Sequence, residues 1–383
     1  VKLIKNVELY APEPLGVKDV LFIENRILKI ADAIDVSGLD VEVFDRSGHI
    51  MTPGLIDNHV HLTGGGGEAG YASRVPEIML SDFIRAGITS AVGLLGTDGH
   101  TRTMRDLIAK VKALRQEGMS AYALSGSYQV PVNTLMDSIE DDMLFIEEII
   151  GVGEIAISDH RSSIPSVETI RNILAKVHVG GLLSGKGGVL NLHVGSGKEG
   201  LKPLKQALNT SDLPASKVVP THINRSDALL REGIGYSIEH DAPIDLTAYS
   251  NKDDALAAYR VLGNVLAKGV SIENVMLSSD GQGSLPVFDS SGRFKRMGIG
   301  SVKALHENLV KAVKTVGIPF EDALGTVTKN VANFYNLKGK GRVKEGYDAD
   351  LLILDQDFGI TDVFMGGNPM MIKGGIIRTG TFE

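Results

Sequence analysis

The chain contains no cysteine. Disulfides and thiolate metal sites are therefore excluded, and a zinc-type ion would have to be held by histidine, carboxylate or a modified lysine. No apolar run reaches the ~18 residues that a transmembrane helix needs. Basic residues are not in excess. The net charge is -8, which weighs against a nucleic acid or an anionic membrane as partner. Val1 to Lys5 has none of the anatomy of a signal peptide, so a cytoplasmic protein is the expectation, and the absence of an initiator Met reads as a processed or trimmed chain. There is no fixed-period repeat, and the 45 glycines are scattered at turns, not gathered in linkers. What remains is ordinary globular material: 383 residues, 43% hydrophobic and 22% charged. Length alone suits two or three domains, but an α/β barrel uses ~250 residues as one.

Two rhythms divide the chain. Residues 1–53 read as short strands, Leu3–Tyr10, Asp19–Ile23, Arg26–Ile30 and Val41–Asp45, with Glu24-Asn25 as a hairpin tip. From Gly54, apolar strands alternate with amphipathic helical stretches. The expected strands are Gly54–Leu62, Ile88–Gly96, Ser120–Tyr128, Glu154–Asp159, Val189–Val194, Val218–Ile223, Tyr236–His240 and Val275–Asp280. Helices are expected at Pro76–Ala86, Thr103–Glu117, Ser138–Ile150, Val167–Leu183, Lys198–Leu208 and Asp253–Ala267, then at Val302–Val316 and Phe320–Tyr335. Pro76 suits a first helical position. Strand-like runs return after Val343. This pattern predicts an α/β protein, a (β/α)8 TIM-type barrel at 54–340 inserted in a small β-sandwich built from 1–53 plus 341–383. An open doubly wound sheet is the structural alternative, although it does not normally place polar residues at so many strand ends.

Polar residues at those ends carry the chemistry. His59 and His61 stand two apart, so on a strand they share one face and reach one ion. Alone, such a pair is more often two half-buried histidines bonded to neighbours. The later strands add Glu154, then His193, His222 and Asp280 in order, so that four of the chain's ten histidines lie at ends of apolar strands. Imidazole nitrogen and carboxylate oxygen together suit zinc and similar divalent ions.

These residues resemble the amidohydrolase superfamily. The finer motifs resemble the bacterial isoaspartyl dipeptidases (β-aspartyl peptidases) more closely. They are His59-Val60-His61-Leu62 with Gly64-Gly65-Gly66-Gly67-Glu68-Ala69-Gly70, and Val92-Gly93-Leu94-Leu95-Gly96-Thr97-Asp98. Further along stand Ala156-Ile157-Ser158-Asp159-His160-Arg161-Ser162, Thr221-His222-Ile223-Asn224-Arg225, Ser278-Ser279-Asp280-Gly281-Gln282-Gly283-Ser284 and the terminal Gly380-Thr381-Phe382-Glu383. The likeness runs end to end and departs at one position. The family keeps a carbamylated lysine on the fourth strand, and this chain has Glu154, with no lysine between Lys112 and Lys176. Glutamate offers the same bidentate carboxylate on a shorter stem, and Gly151 and Gly153 give the backbone room to adjust. No carbamylated lysine is expected.

The resemblance implies two divalent metal ions, with zinc the expected metal. His59, His61 and Asp280 would hold one, His193 and His222 the other, and Glu154 would bridge. A metal-bound hydroxide would attack the amide, Asp280 would carry the proton to the leaving amine, and Tyr128 would stabilise the oxyanion. Glu68 suits the substrate ammonium, Arg161 and Arg225 its two carboxylates, and Thr97 and Ser284 supply hydroxyls. The plain alternatives are a solvated loop acid for Glu68, rim salt bridges for the arginines and a structural acid for Glu154. The implied activity is hydrolysis of β-aspartyl dipeptides by a homo-oligomer with a small-molecule substrate. The alternatives are an amidohydrolase acting on cyclic amides, of the dihydroorotase or hydantoinase kind, and a non-catalytic barrel scaffold.

Overall fold

A computed structural model describes residues 1–248, 254–288 and 293–383. Eight short strands, named here in chain order, carry the middle of the chain: Leu55–Val60, Ile88–Gly93, Ser120–Ser125, Ile149–Ile157, Val189–Val194, Val218–Thr221, Ile244–Thr247 and Val275–Ser278. The first six pair in sequence order as one parallel sheet, and the seventh and eighth pair in parallel beside them. The chain just past the eighth strand returns to the first. Val60 and Gly281 form a parallel bridge, and His61 N–H donates to Gly281 O at 2.9 Å. Helices separate successive strands, so the class is α/β with parallel strands, as expected. Except at Ser120 and Tyr122 of the third, the strands are buried along their whole length, which is why they read as apolar runs and not as alternation.

Side-chain caps set several helix starts. Thr103 accepts from Asp106 N–H at 3.3 Å, Ser166 from Thr169 N–H at 3.1 Å and Ser226 from Leu229 N–H at 3.2 Å, satisfying amides that have no partner in the first turn. The last of these overturns one expectation. Tyr236–His240 is not a strand but the end of a helix, Asp227–His240. Leu229, Leu230, Gly233, Ile234, Tyr236 and Ser237 are buried along one helical stripe, and the five residues Tyr236–His240 by themselves are too few to show its period. The seventh strand is Ile244–Thr247, too short and too polar to stand out.

Other helices are shorter than their patterns. Pro76 precedes the helix Leu80–Ala86 by four positions and is not its first residue. The Ser138–Ile150 stretch is a helix only over Ile139–Phe145, because Ile149 already belongs to the fourth strand. Phe320–Tyr335 is two helices, Phe320–Gly325 and Lys329–Phe334. Thr326 and Thr328 hydroxyls donate to carbonyls of the preceding turn, which competes with helix continuation. The freed carbonyls of Thr326 and Val327 accept from Leu277 and Ile56 N–H at 3.2 and 2.8 Å. The break thus ties the first and eighth strands together at the end away from the histidines. Of the Asp253–Ala267 stretch, the helix covers Ala258–Ala267, and Asp253 lies outside the described residues.

Both chain ends enter one nine-stranded sheet. Lys2–Tyr10 pairs with Pro14–Ile23, Glu42–Asp45 and Ile50–Pro53, and Ile50–Pro53 pairs with Leu351–Leu354. Ile360–Met365 and Asn368–Ile372 continue it. The strands expected to return and pair therefore do so, in a single sheet. Ile4, Leu9, Phe22, Met51, Ile353 and Phe364 form its separate core.

Candidate metal centre and substrate cleft

His59 is the last but one residue of the first strand, and His61 follows just beyond its end. Their rings lie 5.7 Å apart. His61 Nε2 is 3.2 Å from Asp280 Oδ1, and His59 Nε2 is 3.8 Å from the same oxygen. On the other side, His59 Nε2 is 3.4 Å and His222 Nε2 is 3.1 Å from Glu154 Oε1. His193 Nδ1 is 2.6 Å from that oxygen. All the residues read as metal ligands thus meet in one buried cluster. Its tightest groups of candidate ligand atoms are His59, His61 and Asp280, and His59, Glu154 and His222.

Glu154 reaches the cluster by way of a bulge in the fourth strand. Leu190 pairs with Val152 but Leu192 pairs with Ile155, so Gly153 and Glu154 together oppose Asn191. An extra residue re-aims the side chain that follows. A Cβ at Gly153 would lie 2.8 Å from Asn191 Cβ, and one at Gly151 2.4 Å from Val189 O. Only glycine allows this approach, and it offsets the short stem of the glutamate.

The donor set fits a divalent ion. His59 Nδ1 and Nε2, His61 Nδ1 and Glu154 Oε2 are buried without a hydrogen-bond partner, an expensive arrangement unless a cation engages some of them. The electrostatics agree. Burial opposes ionisation of Glu154, yet the charges of His59 and His193, with hydrogen bonds from His193 and His222, hold it well below the usual carboxylate range. Asp280 is likewise brought to about 2 against its burial, chiefly by His61. Burial lowers His222 to about 3, whereas in His59 the Glu154 charge overcomes burial and raises the ring to about 9. Two ionised carboxylates among imidazoles make a centre built for positive charge.

Above the cluster sit the groups read as substrate contacts. Tyr128 hydroxyl lies 2.8 Å from His193 Nδ1. Burial, then the Glu154 charge, keeps that phenol protonated far above its ordinary range, so it remains a donor. Glu68 is held by Ser284 Oγ at 3.0 Å, Thr97 Oγ1 at 3.3 Å and Arg161 Nη1 at 3.4 Å. Thr97 and Ser284 therefore orient Glu68. Arg161 stacks with its guanidinium 5.2 Å from the Tyr128 ring centre, and Arg225 Nη1 stands 3.9 Å from Asp159.

The amidohydrolase family model matches residues 50–379. The chain belongs to the amidohydrolase family. It is similar to the β-aspartyl dipeptidase of Fervidobacterium islandicum AW-1 solved in complex with a β-Asp-Leu dipeptide, with 41% identity, 98% of this chain and 97% of that one covered, and a TM-score of 0.92. A second structure of β-aspartyl dipeptidase from that organism gives 39% identity, 98% of each chain and a TM-score of 0.90. A dihydroorotase of Clostridium acetobutylicum is 22% identical over 93% of this chain and 90% of its own length.

This amidohydrolase also uses residues that the motifs did not single out. The Arg102 guanidinium, itself buried, donates to the carbonyls of Thr63, Val75 (2.7 Å) and Gly65 (3.3 Å), pinning both sides of the glycine-rich loop. That loop admits no Cβ at Gly64, which has φ +80° and where a Cβ would fall 2.0 Å from Val75 O. Gly96 is equally constrained, with a Cβ placed 2.7 Å from His61 Cε1. Beneath the histidines, Asp57 accepts from Ser279 and Asp245 from Thr221, Ser278 and Asn58. Nothing in the sequence signals Arg102. Asp57 and Asp245 stood as unexpected acids in apolar runs, the trace that buried polar residues leave.

Proposed function

We propose that this amidohydrolase hydrolyses β-aspartyl dipeptides with the help of two divalent ions, zinc being the candidate metal. The observation that carries the reading is the meeting of one acid, Glu68, and two arginines, Arg161 and Arg225, over a buried histidine–carboxylate cluster. A β-aspartyl dipeptide presents one ammonium and two carboxylates, and this set complements it. The Fervidobacterium structure in complex with β-Asp-Leu supports the same reading.

In this reading His59, His61 and Asp280 would hold one ion and His193 and His222 the other, with Glu154 as the carboxylate that would complete the set. Bound divalent metal supplies water activation at neutral pH and polarises the scissile carbonyl. The chain's own groups do the rest. Glu68, steadied by Thr97 and Ser284, takes the α-ammonium. Arg161 and Arg225 grip the carboxylates bidentately. Asp280, ionised at neutral pH, accepts a proton from the attacking water and passes it to the leaving amine. Tyr128 donates its hydrogen bond to the oxygen that becomes negative. The proposal takes the eight strands as one closed barrel over 54–340, with 1–53 and 341–383 as a second unit. It also takes the active form as a homo-oligomer, for which exposed Phe145, Leu182 and Leu183 on two packed helices offer an apolar surface.

The test is a comparison of β-Asp-Leu with dihydroorotate and a hydantoin, using zinc-loaded protein. Turnover of the dipeptide is expected. Turnover of the cyclic amides alone would replace this reading with the second one, which the dihydroorotase likeness keeps open. No helix among the described residues is long and apolar enough to cross a membrane.

A further inference from the structure

Asp159 lies between the two halves of the site and has no role in the reading above. Its side chain is 3% exposed. Oδ2 is 3.0 Å from His193 Nε2 and 2.8 Å from Arg161 Nη2. Oδ1 accepts from Arg161 Nε at 3.0 Å and from the Arg161 backbone N–H at 2.8 Å. Arg225 Nη1 is the next cation, at 3.9 Å. One carboxylate therefore touches a histidine of the metal-type cluster and grips the arginine facing the substrate in a fork.

The surroundings are shaped for this contact. Ser158 turns the chain with φ 51°. The loop after the fifth strand lies so close that a Cβ at Gly195 would fall 2.4 Å from Asp159 Cβ, and one at Gly197 2.4 Å from Ser158 O. The two loops thus press together where only glycine fits, and they seat Asp159 against the His193 ring.

We propose that Asp159 is a positioning residue that couples substrate-carboxylate recognition to the metal centre. An ionised carboxylate only accepts hydrogen bonds, so the His193 proton that meets it sits on Nε2. Nδ1 is thereby left as the nitrogen that faces Glu154, 2.6 Å from Oε1, and its proton is the one that an incoming ion would displace. Carboxylate partners of this kind fix the tautomer and the ring plane of a ligating histidine. The same oxygens hold the Arg161 fork in place before substrate arrives, which removes part of the ordering cost of binding. Movement of Arg161 when it engages substrate is thereby felt at His193. The proposal rests on the reading of His193 as a ligand and of Arg161 as a substrate clamp.

The experiment uses zinc-loaded full-length protein and two readouts. The first is zinc remaining per chain after dialysis against a graded chelator, measured by elemental analysis. Asp159→Asn is expected to lose one zinc at about ten- to one-hundred-fold lower chelator concentration than the unaltered protein. Arg161→Met is expected to stay close to the unaltered protein. The second readout is KM for β-Asp-Leu. Asp159→Asn should raise it, and adding Asp159→Asn to Arg161→Met should raise it little further. Asp159→Glu keeps the charge and should restore part of the zinc retention; if the asparagine variant does not fold, Asp159→Ser, which also removes the charge, takes its place in the comparison. Zinc retention equal to the unaltered protein in the folded Asp159 variant overturns the coupling. So does full additivity of the two substitutions in KM. Should the unaltered protein cleave no β-aspartyl dipeptide, the substrate reading fails by itself, and zinc retention still decides whether Asp159 positions His193.

Discussion

Glu154 is the residue that sets this centre apart from a carbamylated-lysine site. Its carboxylate is carried by the chain, so no carbon dioxide adduct has to form. Activity recovered by adding zinc to metal-free protein is therefore expected to be the same with and without bicarbonate; a strong bicarbonate requirement would refute the role given to Glu154. Glu154→Ala should bind fewer than two zinc ions per chain, and elemental analysis checks it. Asp57 gives a second prediction at this scale. Burial raises it to about 7 despite its hydrogen bonds from Ser279 and His59. An acid whose folded pKa lies above its unfolded value near ~3.9 keeps its proton on folding. The stability linked to it is complete at pH below the unfolded value and is lost as pH rises through about 7. Asp57→Asn does not titrate. The melting temperature of the metal-free variant, minus that of the unaltered metal-free protein, should therefore climb from about pH 4 to 7 and level off above. A flat difference would show that Asp57 is ionised among its donors.

At the scale of elements, the glycine-rich loop and its arginine act as one unit. The run Gly64 to Glu68 was legible because close approach needs glycine, and Gly64 indeed lies against Val75 O. Arg102 was not legible, because its partners are three backbone carbonyls at sequence distances of 27 to 39 residues, and a carbonyl leaves no mark in a sequence. Arg102→Met should loosen the loop that presents Glu68. KM for the dipeptide is expected to rise about ten-fold or more with a smaller change in kcat, as for a loss of binding that ground and transition states share. A fall in kcat alone would argue against it. The misread strand at Tyr236–His240 belongs to this scale too. Five residues of a helix with one buried stripe cannot be told from a strand until the Ser226 cap and the full 14-residue length are seen.

At the scale of the molecule, the two chain ends are joined by a buried ion pair. Arg46 donates through Nε at 3.1 Å and through Nη2 to Asp362, 316 residues away, and both side chains are almost wholly buried. Such a pair need not add much net stability, but removing one partner leaves a buried charge unsatisfied. Asp362→Ala should destabilise by about 3–5 kcal/mol, seen in thermal or denaturant unfolding. Replacing both residues by apolar ones of similar volume should recover much of the loss. A near-neutral single substitution would show that water reaches Arg46 in the folded protein.

The alternation of apolar strands and amphipathic helices, the glycines and the order of histidines and carboxylates are local properties of the chain. They determined by themselves the α/β class, seven of the eight parallel strands by position, and the residues that gather at the strand ends. Only the tertiary structure decided the rest. The bulge at Gly153-Glu154 exists because Asn191 faces two residues at once. Thr97 and Ser284 serve Glu68, and Asp159 serves both His193 and Arg161, because separate loops are brought within hydrogen-bond distance there. Periodicity records which face of an element is buried; it holds no record of which polar atoms from distant segments will meet, and in this protein the chemistry depends on those meetings.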